Sequence, residues 1–342
     1  MSEADLRRPK DIVSMPLKER IKKLVEGAKW GKGFPNVLAG DQFDRKSLSG
    51  LIHLASDIRE NMDKFQELGP LKGKILALLF YEPSTRTSSS FHCAMLRLGG
   101  QVLSLKNIKT SSVAKGETLE DTVRTLECYC DAVVLRHPEK GTAVRAAEVL
   151  KCPIFNAGDG AGEHPTQALL DMFTIASEMK KIDGLTITML GDLKHGRTVH
   201  SLANTLSHFK IKLNYVSPDF LKMPEYVKKV VSERKVEQAE FETLDEVLKD
   251  TDVLYVTRVQ KERFTGPNGM EQYKKAQGAY VITPDLLKKL NAKEKMIIMH
   301  PLPRVGEIDP ALDSDPRAAY FREMRYGMIM RMALLLASCT SS

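Results

Sequence analysis

Ser84-Thr85-Arg86-Thr87 places three hydroxyls and a guanidinium in four consecutive residues, directly after an apolar run ending at Phe80. Hydroxyl and guanidinium donors at this density suit a phosphate or a carboxylate. Lys74 to Phe80 reads as a buried strand, and Pro83 biases Glu82 towards an extended backbone, so the strand leaves its sheet there. Phe91, Met95 and Leu98 recur at helical spacing before a stop at Gly99-Gly100. The tetrapeptide therefore falls on a first helical turn, where backbone N–H groups lack partners and the helix dipole is positive. Taken alone, the tetrapeptide reads first as a serine N-cap followed by a solvated arginine, and the strand–loop–helix order only brings an anion site level with that reading.

The rest of the chain weighs on that choice. Apolar runs ending at Phe80, Leu135, Phe155, Leu190, Val256 and Met299 are each followed by a polar cluster. In order these are EPSTRT, RHP, NAGDGAGEHPTQ, GDLKHGRT, TRVQKERF and HPLPR. In open parallel sheets, ligands bind beyond the carboxyl ends of the strands. Each cluster has a plain reading by itself: Arg136 as a surface charge, His164 as a satisfied core histidine, Arg197 as a charge at a helix start. A cation on a first turn opposes the dipole, however, and costs stability unless an anion also sits there. Six such clusters at strand ends favour converging sites for small anions over scattered solvation.

The elements that must position these residues alternate between apolar strands and amphipathic helices, the pattern of parallel sheets covered by helices. Strands are expected at 74–80, 101–105, 132–136, 153–158, 185–190, 211–216, 252–257 and 295–300. Helices are expected at 16–29, 47–68, 118–130, 142–150, 165–180 and 317–338. The pattern restarts after the long helix 165–180, which argues for a second domain. The expected fold class is α/β: two doubly wound domains, each a parallel sheet flanked by helices. Residues 1–36 read as an N-terminal tail or linker.

Composition narrows the function classes. With 342 residues, 42% hydrophobic and 28% charged, the chain can bury two sizeable cores. No run approaches a membrane span, and the first residues lack the apolar stretch of a secretory signal, so a cytoplasmic protein is expected. The five cysteines are an odd number. Cys128-x-Cys130 lacks the second pair that a zinc site requires, so no metal is expected. The formal charge of +7 is spread over lysines interleaved with acidic residues, not gathered into a stripe with aromatics, so no nucleic-acid partner is expected. GDLKHGRT lacks the G-x-G-x-x-G spacing of a dinucleotide site, and the phosphate-binding loop of nucleoside triphosphatases is absent. No organic cofactor is expected.

With these clusters in hand, the chain resembles the carbamoyltransferase family, and within it the aspartate-using branch, from about Val37 to Ala337. The motifs that carry the resemblance are Ser84 to Thr87, Ser111 through Lys115-Gly116-Glu117-Thr118, and Arg136-His137-Pro138. Downstream they are His164-Pro165-Thr166-Gln167, Gly191 to Thr198, Thr257-Arg258-Val259-Gln260 and His300 to Arg304. The ornithine-using branch carries His-Cys-Leu-Pro where this chain has HPLPR. Ser88-Ser89-Ser90 resembles the form in multifunctional pyrimidine enzymes.

The resemblance implies transfer of a carbamoyl group from carbamoyl phosphate to L-aspartate, an early step of pyrimidine synthesis, without metal or cofactor. It implies a carbamoyl-phosphate domain at 37–165 plus 315–342, and an aspartate domain at 166–314. Ser84, Thr85, Arg86 and Thr87 would hold the phosphate, with Arg136. Thr87, Arg136 and His164 would donate to the carbonyl oxygen, while Gln167 and the Leu302 and Pro303 backbone would fix the carbamoyl NH2. Lys115, Arg197, Arg258 and Gln260 would bind aspartate. Ser111 and Lys115 would come from the neighbouring subunit of a homotrimer, which could itself be part of a larger multi-enzyme. An ornithine carbamoyltransferase or an inactive scaffold subunit stands as the rival reading.

Overall fold

The computed structural model describes residues 1–105, 116–160, 162–259, 264, 270–271, 273 and 280–340. The chain divides into two compact units. The first comprises Glu3–Phe173 and Met324–Ser342, the second Met1–Ser2 and Thr174–Glu323.

The first unit is built on four parallel strands: β1 (Ile75–Phe80), β2 (Gln101–Leu105), β3 (Ala132–His137) and β4 (Ile154–Asp159), in the order β2-β1-β3-β4. Leu76–Leu79 and Ala132–Leu135 are buried throughout, as expected of central strands covered on both faces. Its longer helices are α1 (Leu17–Ala28), α2 (Arg45–Glu60), α3 (Thr85–Arg97), α4 (Leu119–Glu127) and α5 (Thr142–Val149). The single helix expected over 47–68 is two: after α2 the chain breaks at Asn61 and resumes as Met62–Leu68. The division between units falls within α6 (Pro165–Met179).

Residues 3–36 belong to the first unit. α1 buries Ile21, Leu24, Val25 and Ala28, and Trp30 packs its ring 4.9 Å from that of Phe43. α1 and α2 approach so closely that a Cβ on Gly50 would stand 2.0 Å from the Gly27 carbonyl oxygen, so only glycine fits there. Asp57 on α2 is fully buried between two arginines: Arg8, and Arg20, whose Nε lies 3.0 Å from Oδ2.

The second unit holds five parallel strands, β5 (Thr186–Leu190), β6 (Lys212–Val216), β7 (Glu237–Phe241), β8 (Val253–Val256) and β9 (Ile297–Met299), in the order β7-β6-β5-β8-β9. Helices α7 (Arg197–Leu206), α8 (Glu225–Glu233) and α9 (Pro284–Lys289) flank it. β7, the edge strand EQAEF, was not among the expected strands. It has no apolar run and is partly exposed along its length, so its pairing with β6 leaves little trace in composition. The last helix, α10 (Tyr320–Cys339), begins three residues later than expected and again contains the division between units. Among the described residues no helix is long and apolar enough to cross a membrane.

Candidate active site

In each sheet the strand order reverses once beside the first-formed strand: between β1 and β3 in the first unit, and between β5 and β8 in the second. Such switch points open a crevice beyond the strands' carboxyl ends, because the two outgoing loops diverge to opposite faces. The clusters EPSTRT and RHP leave β1 and β3, and GDLKHGRT and TR leave β5 and β8.

At the first switch point, Phe80 and Arg136 are register partners, and the Tyr81 N–H donates to the Arg136 carbonyl at 2.9 Å. The Arg136 side chain thus emerges beside the turn that opens α3. Its Nη1 donates to the Ala157 carbonyl on β4 at 3.1 Å, and its Nε lies 3.4 Å from Glu82 Oε2. Burial pushes the Arg136 guanidinium below its ordinary value, and Glu82 offsets part of that. Ser84 is the N-cap of α3, yet its side chain makes no capping hydrogen bond, and the first turn holds Arg86 with no acidic residue. Thr85 and Arg86 are exposed and Thr87 is buried.

His164 ends the loop after β4, and Gln167 lies on the first turn of α6. Asp159 shapes that loop, its carboxylate accepting from the Gly141 N–H at 2.8 Å and the Glu163 N–H at 2.7 Å. Both His164 and Gln167 are buried. The Gln167 N–H donates to the His164 carbonyl at 3.0 Å, and its side chain donates through Nε2 to Asp171 Oδ1 at 2.9 Å.

The second switch point is tighter. The Thr257 N–H donates to the Leu190 carbonyl at 2.8 Å, and a Cβ on Gly191 (φ +117°) would stand 2.4 Å from the Thr257 oxygen. Only glycine brings the two strand ends this close. Asp192, fully buried, accepts from the His195 N–H at 3.0 Å and lies 3.1 Å from its ring Nδ1, fixing the turn that launches α7. α7 starts with Arg197 after a Gly196 N-cap and has no acidic residue in its first turn. By contrast α2, which also starts with an arginine, has Asp44 as its N-cap. Arg197 and Arg258, both half-buried, follow the adjacent strands β5 and β8.

HPLPR follows β9 in the second unit. The fully buried His300 ring lies 2.7 Å from Glu307 Oε1 through Nε2, and its Nδ1 accepts the Leu302 N–H at 2.8 Å. Leu302 adopts φ +53°, a left-handed conformation that costs a non-glycine residue energy and that this clamp holds in place.

Of the residues singled out from sequence, the first unit brings together Ser84, Thr85, Arg86, Thr87 and Arg136 at one switch point, with His164 at the end of the neighbouring loop and Gln167 on the first turn of α6. The second unit carries Arg197, Arg258, Leu302 and Pro303. Ser111, Lys115 and Gln260 lie outside the described residues. Sequence reasoning passed over the carboxylates behind these side chains: Glu82, Asp159, Asp171, Asp192 and Glu307. All sit within or beside the quoted motifs, but nothing in an acidic residue's identity says which backbone N–H it will hold. Among the described residues no group of three or more metal-ligating side chains gathers.

Two doubly wound domains, each with a cationic, uncapped helix start at its switch point, define a class of two-domain α/β proteins equipped for small anions. Comparison with known proteins makes this specific. A family model for the aspartate/ornithine carbamoyltransferase carbamoyl-P binding domain matches residues 36–177, and one for the Asp/Orn binding domain matches residues 183–338. The chain belongs to the aspartate/ornithine carbamoyltransferase family and has its fold.

It is 53% identical over 300 residues to the multifunctional protein pyr1-3 of Dictyostelium discoideum, covering 88% of this chain but 13% of that protein. It is 47% identical over 300 residues to the aspartate carbamoyltransferase catalytic subunit of Thermoplasma acidophilum, covering 88% of this chain and 96% of the relative. A crystal structure of aspartate transcarbamoylase from Trypanosoma cruzi in complex with carbamoyl phosphate and aspartate superposes with a TM-score of 0.82 at 47% identity. That match covers 88% of this chain and 96% of the other.

Proposed function

We propose that this chain transfers the carbamoyl group of carbamoyl phosphate to the amino group of L-aspartate, giving N-carbamoyl-L-aspartate and phosphate, in pyrimidine synthesis. The single observation that carries the reading is the pair of switch points with arginine-bearing, uncapped helix starts, in a chain that matches both carbamoyltransferase domains nearly end to end.

The chemistry follows from charge. Carbamoyl phosphate brings about two negative charges and aspartate about one net, so the two repel and must be drawn together by fixed cations. In the first unit the phosphate is assigned to the start of α3, with Ser84, Thr85, Arg86, Thr87 and Arg136. Thr87, Arg136 and His164 donate to the carbonyl oxygen, on which negative charge grows as the amine attacks. Gln167 and the carbonyls of Leu302 and Pro303 accept from the carbamoyl NH2. In the second unit Arg197 and Arg258 take the two aspartate carboxylates, each through paired N–H groups, with Gln260. The attacking amine is neutral, and the departing phosphate can take its proton. Holding both reactants in attack geometry contributes on the order of several kcal/mol.

Ser111 and Lys115 are assigned to a neighbouring subunit's site in a homotrimer, and a cytoplasmic location belongs to the same proposal. Purified protein given both substrates, without added metal, is expected to release phosphate and carbamoyl aspartate in equal amounts, and no product would sink the reading. Mixing inactive Arg86→Ala with inactive Lys115→Ala subunits is expected to restore some activity, because some interfaces then carry two intact halves. Mixtures that stay inactive after reassembly would remove the shared-site part alone.

A further inference from the structure

Behind Gln167 lies a buried polar network in the first unit that no step of the reaction uses. Asp171, one turn further along α6, is fully buried and accepts from Gln167 Nε2 at 2.9 Å. Arg331 on α10 is 4% exposed; its Nη1 donates to Ser90 Oγ on α3 at 2.7 Å, and its guanidinium lies 5.2 Å from the Phe91 ring centre. Burial pushes Arg331 down to about 10, and the negative charge of Asp171 opposes that shift. Arg331 therefore stays charged at neutral pH.

The Gln167 amide turns its NH2 to Asp171 Oδ1 and its oxygen away, the orientation required by a carboxylate oxygen that accepts. We propose that Asp171, backed by Arg331, is a positioning residue that sets this orientation, so that Gln167 presents an acceptor to the substrate and selects carbamoyl phosphate over acyl phosphates that lack an NH2. The inference rests on the assignment of Gln167 to the carbamoyl NH2 made above. An amide turned the other way would set its own NH2 against the substrate's, donor to donor. It would lose nothing against a methyl group. The discrimination thus comes from a polar group left unpaired when the amide is wrongly turned.

Acetyl phosphate, with CH3 in place of NH2, is the probe. Binding of carbamoyl phosphate, acetyl phosphate and inorganic phosphate to the intact enzyme is measured by calorimetry. In Asp171→Asn the new amide can donate to Gln167, which is then free to turn. Affinity for carbamoyl phosphate is expected to fall on the order of 10-fold, while acetyl phosphate and inorganic phosphate bind as before. Arg331→Gln, which strips Asp171 of its counter-ion, must move the same ratio in the same direction. A general loosening of the fold would weaken all three ligands together, and that result overturns the proposal, as does a folded variant that keeps the wild-type carbamoyl-to-acetyl ratio. Should neither variant fold, hydrogen exchange of the Gln167 side-chain amide in the wild-type enzyme decides. Protected protons support the proposal, and exchange at the open-solvent rate overturns it. A wild-type enzyme with no preference for carbamoyl over acetyl phosphate would instead sink the underlying assignment of Gln167.

Discussion

Glu307 fixes the tautomer of His300. Because Nδ1 of the ring accepts the Leu302 N–H, the proton sits on Nε2 and is donated to Glu307 Oε1 at 2.7 Å. Glu307 Oε2 accepts a second N–H, from Val305, at 2.8 Å. A glutamine offers one acceptor oxygen for these two donors. Glu307→Gln is therefore expected to leave one N–H unpaired, at about 1–3 kcal/mol, and to loosen the Leu302 and Pro303 carbonyls. Steady-state kinetics should show a raised KM for carbamoyl phosphate with unchanged inhibition by inorganic phosphate. An equal loss in both would mean that the loop does not contact the carbamoyl end.

Arg197→Ala and Arg258→Ala should each weaken aspartate use by about 2–5 kcal/mol, the scale of a lost charge pair in a desolvated site. Carbamoyl phosphate binding, assigned to donors in the first unit and to the Leu302 and Pro303 carbonyls, should be preserved. An aspartate dependence that stays at the wild-type value would remove either residue from the role.

The cluster around Asp57 should govern stability rather than rate. Replacing Asp57 by asparagine leaves Arg8 and Arg20 without the anion buried between them, and breaking a buried pair of this kind costs about 3–5 kcal/mol. Glu60, which also pairs with Arg8, is 49% exposed, and Glu60→Gln should cost about 1 kcal/mol or less. Urea denaturation of the two variants would show the contrast, and equal midpoints would contradict it.

Acid stability should depend in part on Asp313. Hydrogen bonds from Arg304 and then Tyr320 hold its carboxyl well below the ordinary aspartate value, at about 2. A depressed folded-state pKa gives stability that is fully present above the unfolded value and is lost as pH falls through the folded one. Asp313→Asn should thus be less stable than wild type at pH 6, with the gap narrowing as pH falls from about 4 towards 2. A gap that holds constant down that range would show that the pair does not shift the titration.

Much of the fold was legible because the signals are local. β1, β3 and β8 are short apolar runs closed by turn residues, and covered parallel strands must be apolar on both faces. α3 showed itself by helical spacing, and α10 by a largely apolar sequence interrupted by a few charges. β7 did not, since an edge strand exposed along its length carries no burial pattern to read. The break at Asn61 between two helices was equally silent, because the residues on both sides are good helix formers with apolar residues at helical spacing. Arg197 drew notice in the sequence for another reason: an arginine on a first turn contradicts the dipole rule, whereas the roles proposed for the other candidate side chains follow from the family resemblance.

By itself the sequence determined the two α/β domains, the strand ends at which polar clusters gather, and the residue types waiting there, because strand and helix periodicity and turn chemistry are written in near neighbours. Only the tertiary structure decided which strands flank each switch point, that Arg136 emerges beside the turn opening at Ser84, and that Asp171 and Arg331 stand behind Gln167. Those pairings join residues up to 164 positions apart. They are set by strand order and by the cost of burying a charge without a partner, which no local pattern records.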